Sequence, residues 1–130
     1  MKRTAVNPWD WSLPSFNQGE LVEGHTRVLF CAGQTALDGD GVVQHAGDMA
    51  GQIARALDNL EAVLAEAGLS LANVVRLTTY ATDVDAYLRH AGIVRERKAA
   101  AGVAPASTLV GVTRLAHPEL LVEIEATAVA

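Results

Sequence analysis

The side chains best suited to chemistry lie in the last quarter of the chain. Glu123 stands between Val122 and Ile124 in a strand-like run. Because successive strand residues point to opposite sides, Glu123 and Glu125 share the face that the two apolar residues leave free. The pattern alone favours two solvated carboxylates, and a place in a ligand cleft is the alternative interpretation.

A pair of hydroxyl side chains, Ser107 and Thr108, follows Pro105 and Ala106. Ser107 either lines a ligand cleft or turns the chain after the proline, and the sequence leaves both interpretations open. Hydroxyl groups both donate and accept hydrogen bonds and carry no charge. The pair therefore suits a neutral polar group better than an anion.

The histidines and the single cysteine give no sign of a metal site or a nucleophile. His25, His45, His90 and His117 are scattered, without the spacing of zinc ligands. Cys31 has no histidine or basic residue fixed beside it, so a small buried strand residue is favoured over an activated thiolate. No metal and no cofactor are predicted.

The first half of the chain must position these residues with two strands and one helix. Residues 1–14 are predicted to be an irregular lead-in, whose Trp9 and Trp11 pack against the body or a neighbour. Runs at 19–23 and 27–32 are predicted to form a hairpin, and Asp38–Gly41 a turn. Apolar residues at three- and four-residue intervals predict a helix over 48–67 that ends at Gly68, with Gln52 off its apolar face.

The second half continues with strand, helix and two strands. Residues 74–81 are rich in β-branched side chains and predict a strand. Thr82–Asp85 resembles a capping box that opens a second helix, with Tyr87, Leu88, Ala91 and Val94 as its apolar positions. Strands are predicted at 107–112 and 120–128. The order ββαβαββ favours an α+β fold, a mixed sheet with two helices on one face, whose other face packs on further subunits.

Length and charge restrict the class of protein. The 130 residues suit one compact domain, residues 1–130. The net charge of −5 and the lack of a basic run argue against nucleic acid as a partner. No apolar stretch approaches the length of a membrane span, and one cysteine suits a reducing compartment, so a cytoplasmic protein without a membrane partner is expected.

Several short segments, spread over nearly the whole chain, together resemble the Rid (YjgF/YER057c/UK114) family. None is specific alone, but their order and spacing match without large gaps. They are Phe16-Asn17-Gln18-Gly19, Cys31-Ala32-Gly33-Gln34, Gln52 with Ala56-Leu57-Asp58-Asn59-Leu60, Ala67-Gly68, Val74-Val75-Arg76, Asp83, Pro105-Ala106, Arg114-Leu115 and Val122-Glu123-Ile124-Glu125-Ala126.

The resemblance implies a chorismate-mutase-like fold assembled as a homotrimer, with ligand clefts between subunits. It also implies a reaction, the hydrolysis of reactive enamines and imines such as 2-aminoacrylate to keto acids and ammonia. Such a site holds the substrate carboxylate, polarises the imine and places a water molecule. Arginine suits the first task because its planar fork matches a carboxylate, and glutamate suits the last.

Residue by residue, the resemblance transfers only in part. The family's carboxylate-binding arginine follows a Pro-Ala pair, and here Ser107 stands in its place. Glu123 matches the glutamate that handles water, Gly33 the glycine that lends backbone to the cleft, and Phe16 an aromatic that is usually tyrosine. Ser107 and Thr108 would contact the substrate. The resemblance also favours structural ion pairs for Arg114 and Arg76 over replacement of the lost arginine.

Three functions remain open from the sequence. The first is a trimeric imine or enamine hydrolase with altered substrate preference, in which turnover of 2-aminoacrylate is weak or absent. The second is a trimer that binds or senses a small ligand without catalysis. Ribonuclease activity, reported for some relatives of the family, is disfavoured by the acidic balance.

Overall fold

Six strands and three helices make up the fold in the computed structural model, which describes residues 1–130. The strands are β1 (Lys2–Val6), β2 (Gly19–Glu23), β3 (Val28–Gln34), β4 (Val74–Ala81), β5 (Ala106–Gly111) and β6 (Val122–Val129). The helices are α1 (Met49–Glu66), α2 (Val84–His90) and α3 (Gly92–Ala100), and a short 3-10 helix at Leu71–Asn73 leads into β4.

The main sheet has four strands in the order β3-β6-β4-β5. β4 and β5 are parallel, whereas β6 runs antiparallel to both β3 and β4. The predicted mixed sheet is therefore confirmed. β5 lies at one edge, where one side of the strand stays available to a ligand or to another chain.

The helices cover one face of this sheet. Buried and half-buried residues alternate along β6, with Val122, Ile124 and Ala126 directed to the helices. Ile53 and Leu57 of α1 are buried in the same core. The α+β arrangement with helices on one face is confirmed, and the other face carries the exposed Phe30 and Val28.

Helix α1 has the predicted extent and one unpredicted core residue. The Asp48 carboxylate caps its first turn by accepting from the Gly51 amide, and Gly68 ends it at φ +73°. Gln52 is fully buried, although the helical periodicity placed it off the apolar face. Its side chain donates to the Glu119 carbonyl and accepts from the Leu121 amide, so burial leaves its amide group satisfied. None of the helices is long and apolar enough to cross a membrane.

The predicted second helix is two helices, α2 and α3, which meet at Ala91. Asp83 caps α2 by accepting from the Ala86 amide. The predicted capping box is wrong because alanine, at the third helical position, has no side chain to return the bond. Leu88 was predicted to face the core, yet it is largely exposed.

The predicted hairpin between 19–23 and 27–32 is also wrong. β2 pairs instead with β1, which lies in the segment predicted to be irregular, and the two form a separate ribbon. After β2 the chain turns away, and the Thr26 and Arg27 amides donate to the Ala130 carbonyl. These bonds start β3 beside β6, so the glycine-containing connection joins two sheets.

Candidate functional site

Glu123 lies against Gly33 on the sheet face that the helices leave uncovered. A Cβ atom at position 33 would come within 2.6 Å of the Glu123 Cδ atom, so only glycine leaves room for this carboxyl group. The pairing of β3 with β6 shifts register between Cys31 and Gln34, and such irregularities often redirect side chains next to functional sites. The backbone at Gly33 and the carboxyl group of Glu123 thus form one local arrangement.

The neighbouring carboxylate, Glu125, is already occupied. Tyr80 of β4 donates its hydroxyl hydrogen bond to Glu125 Oε1 at 2.7 Å. This bond, with burial and the nearby negative charges, raises the pKa of Tyr80 above its ordinary value. Glu123 accepts no hydrogen bond from the chain, so of the two carboxylates it is the one free to bind water or a ligand.

Ser107 and Thr108 point to opposite faces of β5. Ser107 pairs with the buried Leu77 on the helix side, and its Oγ donates to the Pro105 carbonyl at 2.9 Å. Thr108 Oγ1 accepts from Arg76 Nη2 at 2.7 Å. The serine therefore both turns the chain and faces a cavity, and the two hydroxyl groups do not act as a pair.

The cavity beside Ser107 lies between β5 and the helices α2 and α3, and we call it the β5 pocket. Its volume is about 350 Å³. Phe16, Ser107 and Thr108 line it. The ring of Trp11, outside the pocket, meets the Phe16 ring edge-on at 5.9 Å. The remaining lining residues are Ser15, Leu77, Thr79, Tyr87, Leu88, Ala91, Val94, Arg95, Lys98 and Leu109.

Two cations of α3, Arg95 and Lys98, also line this pocket and were not predicted as site residues. Lys98 is only 7% exposed, and its ammonium group donates to the Ser15 carbonyl at 2.5 Å. Burial, with a smaller contribution from Arg95, lowers the pKa of Lys98. A sequence signal existed, because residues 91, 94, 95 and 98 follow the spacing of one helical face, and two of them were predicted to be apolar core positions.

The five predicted site residues thus form two groups. Glu123 and Gly33 lie on the uncovered face, whereas Phe16 and Ser107 line the β5 pocket, which Thr108 borders. β6 and β5 are separated by β4, and Glu123 does not line the β5 pocket that contains Ser107. Within one chain, the predicted site residues therefore do not meet in a single site.

The structure also bears on the predictions for Cys31, two arginines and the two tryptophans. Cys31 is buried in β3, and burial raises the pKa of its thiol, as suits a packing residue. The ion pairs expected for Arg76 and Arg114 do not form within one chain: Arg76 binds the Thr108 hydroxyl, and Arg114 is exposed and reaches only the Leu115 carbonyl. Trp9 and Trp11 are mostly exposed within one chain, although the Trp11 ring meets Phe16, so their packing against a neighbour stays a prediction.

The fold and its pocket define a class of small α+β proteins, and comparisons identify the family within it. Residues 13–130 match the family model described as Endoribonuclease L-PSP. A Rid-family protein, YyfB of Yersinia pestis, is 36% identical with a TM-score of 0.87, and the match covers 100% of both chains. The chain therefore belongs to the Rid (YjgF/YER057c/UK114) family.

Two further relatives agree with this assignment. A RutC family protein of Synechocystis sp. is 36% identical over 115 residues, which are 88% of this chain and 85% of the relative. TdcF of E. coli, whose structure was solved with bound serine, is 25% identical with a TM-score of 0.72. That match covers 97% of this chain and 91% of TdcF.

Proposed function

We propose that the chain forms a homotrimer whose subunits share small-molecule clefts, and that each cleft hydrolyses an imine or enamine. In the reaction, the imine carbon gains an oxygen from water and its nitrogen leaves as ammonia. Glu123 positions the water, accepts its proton and returns that proton to the departing nitrogen. The observation that carries the proposal is the separation of Glu123 from the β5 pocket, because a site that uses both needs a second copy of the chain.

The uncovered sheet face supports the assembly. Phe30 is 79% exposed there, and Val28 lies beside it on the same strand face. Large apolar side chains clustered on a sheet face usually mark an interface. Light scattering is expected to give the mass of three chains, and a monodisperse monomer would contradict the shared cleft.

Ser107 weakens binding of the substrate carboxylate in the cleft. It replaces the arginine that the family resemblance assigns to the substrate carboxylate, and its Oγ is already bonded to the Pro105 carbonyl. Truncating one partner of a desolvated charge pair costs about 2–5 kcal/mol. We therefore expect weak turnover of 2-aminoacrylate, the small carboxylate substrate that the resemblance implies.

A trapping assay tests the proposal. An imine is generated in the presence of semicarbazide, and the protein is scored by how fast it diverts the imine to the carbonyl product. With 2-aminoacrylate we expect little acceleration, with partial recovery in Ser107→Arg and loss of any activity in Glu123→Ala. If no imine from either small or large amino acids is accelerated, the hydrolase proposal fails.

The alternative is a trimer that binds or senses a small ligand without turning it over. It is supported by the weak hydrogen-bonding capacity of Ser107 and by the bound serine in the related TdcF. Measurable ligand binding together with no diversion in the trapping assay would favour it. The name of the matching family model refers to ribonuclease, but a net charge of −5 gives no support for RNA binding here.

A further inference from the structure

Lys98 is a buried cation for which the chain supplies no anion. None of the three ion pairs in the chain includes Lys98 or Arg95. The Lys98 ammonium bonds only to the Ser15 carbonyl, so two of its three hydrogen-bond donors have no partner in the chain. A buried charge normally has a counter-charge, because desolvation is costly without one.

We propose that the β5 pocket binds a small molecule with one carboxylate and an apolar body, and that Lys98 and Arg95 of α3 hold the carboxylate. This inference rests on the proposed function in taking the β5 pocket as part of the substrate cleft. It moves the anion contact from the β5 strand, where Ser107 stands, to a helix on the opposite wall.

The geometry of α3 supports two-point binding of an anion. Arg95 and Lys98 are three residues apart, so their side chains emerge from adjacent turns on one helix face. Lys98 lies deep, whereas Arg95 is exposed at the rim. The two like charges repel each other, which contributes to the lowered pKa of Lys98. A carboxylate between them removes the repulsion and fills the vacant donors.

The rest of the pocket selects for an apolar body. Leu77 and Leu109 line it from the sheet, Leu88 and Val94 line it from the helices, and the Phe16 ring closes one side. Together these residues leave about 350 Å³, far more than a bare carboxylate needs. The pocket therefore suits an aromatic or branched carboxylate better than a two- or three-carbon acid.

Three probes test the inference by calorimetry on the intact protein. They are phenylacetate, its neutral isostere phenylacetamide, and acetate, which lacks the apolar body. We expect one site per chain and affinity for phenylacetate at least about tenfold above that for either other probe. Equal affinity for phenylacetate and phenylacetamide would overturn the anion contact, as would no binding of any probe.

Matched variants locate the contact. Lys98→Met keeps a long apolar side chain and should lower phenylacetate affinity to that of phenylacetamide, with phenylacetamide affinity unchanged. Arg95→Gln, at the rim, should cause a loss of only a few fold. Arg89→Gln removes an equal charge from the exposed end of α2, outside the pocket, and should change nothing.

The outcomes remain clear if a variant folds poorly. Lys98→Gln provides a second, polar replacement, and the three-probe comparison needs only the unmodified chain. A phenylacetate preference that survives Lys98→Met, or that falls equally in Arg89→Gln, would overturn the role of Lys98. The probes are not imines, so the binding test can be read even if the protein hydrolyses no imine. Likewise, the trapping assay can be read even if phenylacetate is not preferred.

Discussion

The carboxylates of the uncovered sheet face and the cations of the β5 pocket are placed in different ways. On the uncovered face, Glu123 and Glu125 come from one strand, and glycine at position 33 makes room for one of them. On the helix side, the β5 pocket takes its cations from α3, its hydroxyl group from β5 and its aromatic ring from the lead-in. The first arrangement follows from strand alternation, whereas the second depends on how distant segments pack.

This difference has a functional consequence under the proposed assembly. A carboxylate that handles water works best when it stays ionised, and a nearby ammonium group would compete with water for it. Placing Glu123 and Lys98 on opposite faces of the sheet keeps the two charges from pairing within one chain. The substrate then becomes the group that joins them, with its carboxylate at one wall of the cleft and its reacting carbon at the other.

The largest effect is expected from Glu123→Gln. The amide keeps the shape of the side chain but does not accept a proton, so hydrolysis of any imine that the unmodified protein turns over should fall by about 100-fold or more. Glu125→Gln is the matched control on the same face, and its effect should stay below about tenfold. The kcat/KM values of the two variants are compared with that of the unmodified protein, and equal losses would contradict a specific role for Glu123.

Gly33→Ala should have a smaller effect on the same side. The added Cβ would lie 2.6 Å from the Glu123 Cδ atom, so the carboxyl group must move, although its flexible stem allows this without unfolding. We expect kcat to fall by about tenfold, because a misplaced catalytic group loses part of its contribution. Gly39→Ala, where a Cβ would meet nothing within 4 Å, is the control. Unchanged kcat in Gly33→Ala would show that the position of Glu123 is not critical.

The sequence predicted the uncovered face better than the pocket, for physical reasons. Strand alternation alone placed Glu123 and Glu125 together, since a strand fixes the direction of each side chain. Helix periodicity assigns a polar residue to solvent, and it was wrong for Gln52 because carbonyl and amide groups from the loop before β6 satisfy that side chain inside the core. The same assumption hid Lys98, whose partner, the Ser15 carbonyl, lies 83 residues away in the chain.

Strand pairing was the other feature that local patterns did not determine. β2 and β3 are adjacent in sequence and both are strand-like runs, yet they belong to different sheets. Non-local contacts accompany this arrangement: Arg3 of β1 donates to the Ala72 carbonyl, and Arg27 bonds to Ala130 beside β6. A glycine-containing connection permits a hairpin but does not require one.

Lys98→Met also tests the helix side through stability. The folded state lowers the pKa of Lys98 below its ordinary 10.5, so at neutral pH folding bears the cost of a buried charge that the unfolded chain does not. As pH rises toward 10.5 the folded lysine loses its proton first, and that cost disappears. The Tm of the variant relative to the unmodified protein should therefore fall with rising pH, by roughly a few degrees.

The control is Lys2→Met, which removes the other lysine of the chain at an exposed position on β1. Thermal melts of the three proteins, without ligand and from neutral pH to about pH 10, make the comparison. A constant Tm difference for Lys98→Met would mean that the folded protein accommodates the ammonium group without cost. That result would weaken the electrostatic argument for an anion in the β5 pocket.

The smallest expected effect compares the two tyrosines, one on each side of the sheet. Both have a raised pKa, but for different reasons: Tyr80 donates to the Glu125 carboxylate, whereas Tyr87 is buried in the wall of the β5 pocket. In an ultraviolet titration both should ionise above the ordinary value of 10.0. Glu125→Gln should lower the midpoint of Tyr80 alone, because removal of the negative charge makes the phenolate less unfavourable. Tyr80→Phe assigns the transitions, and if Glu125→Gln moves both midpoints or neither, the two sides of the sheet are not electrostatically independent.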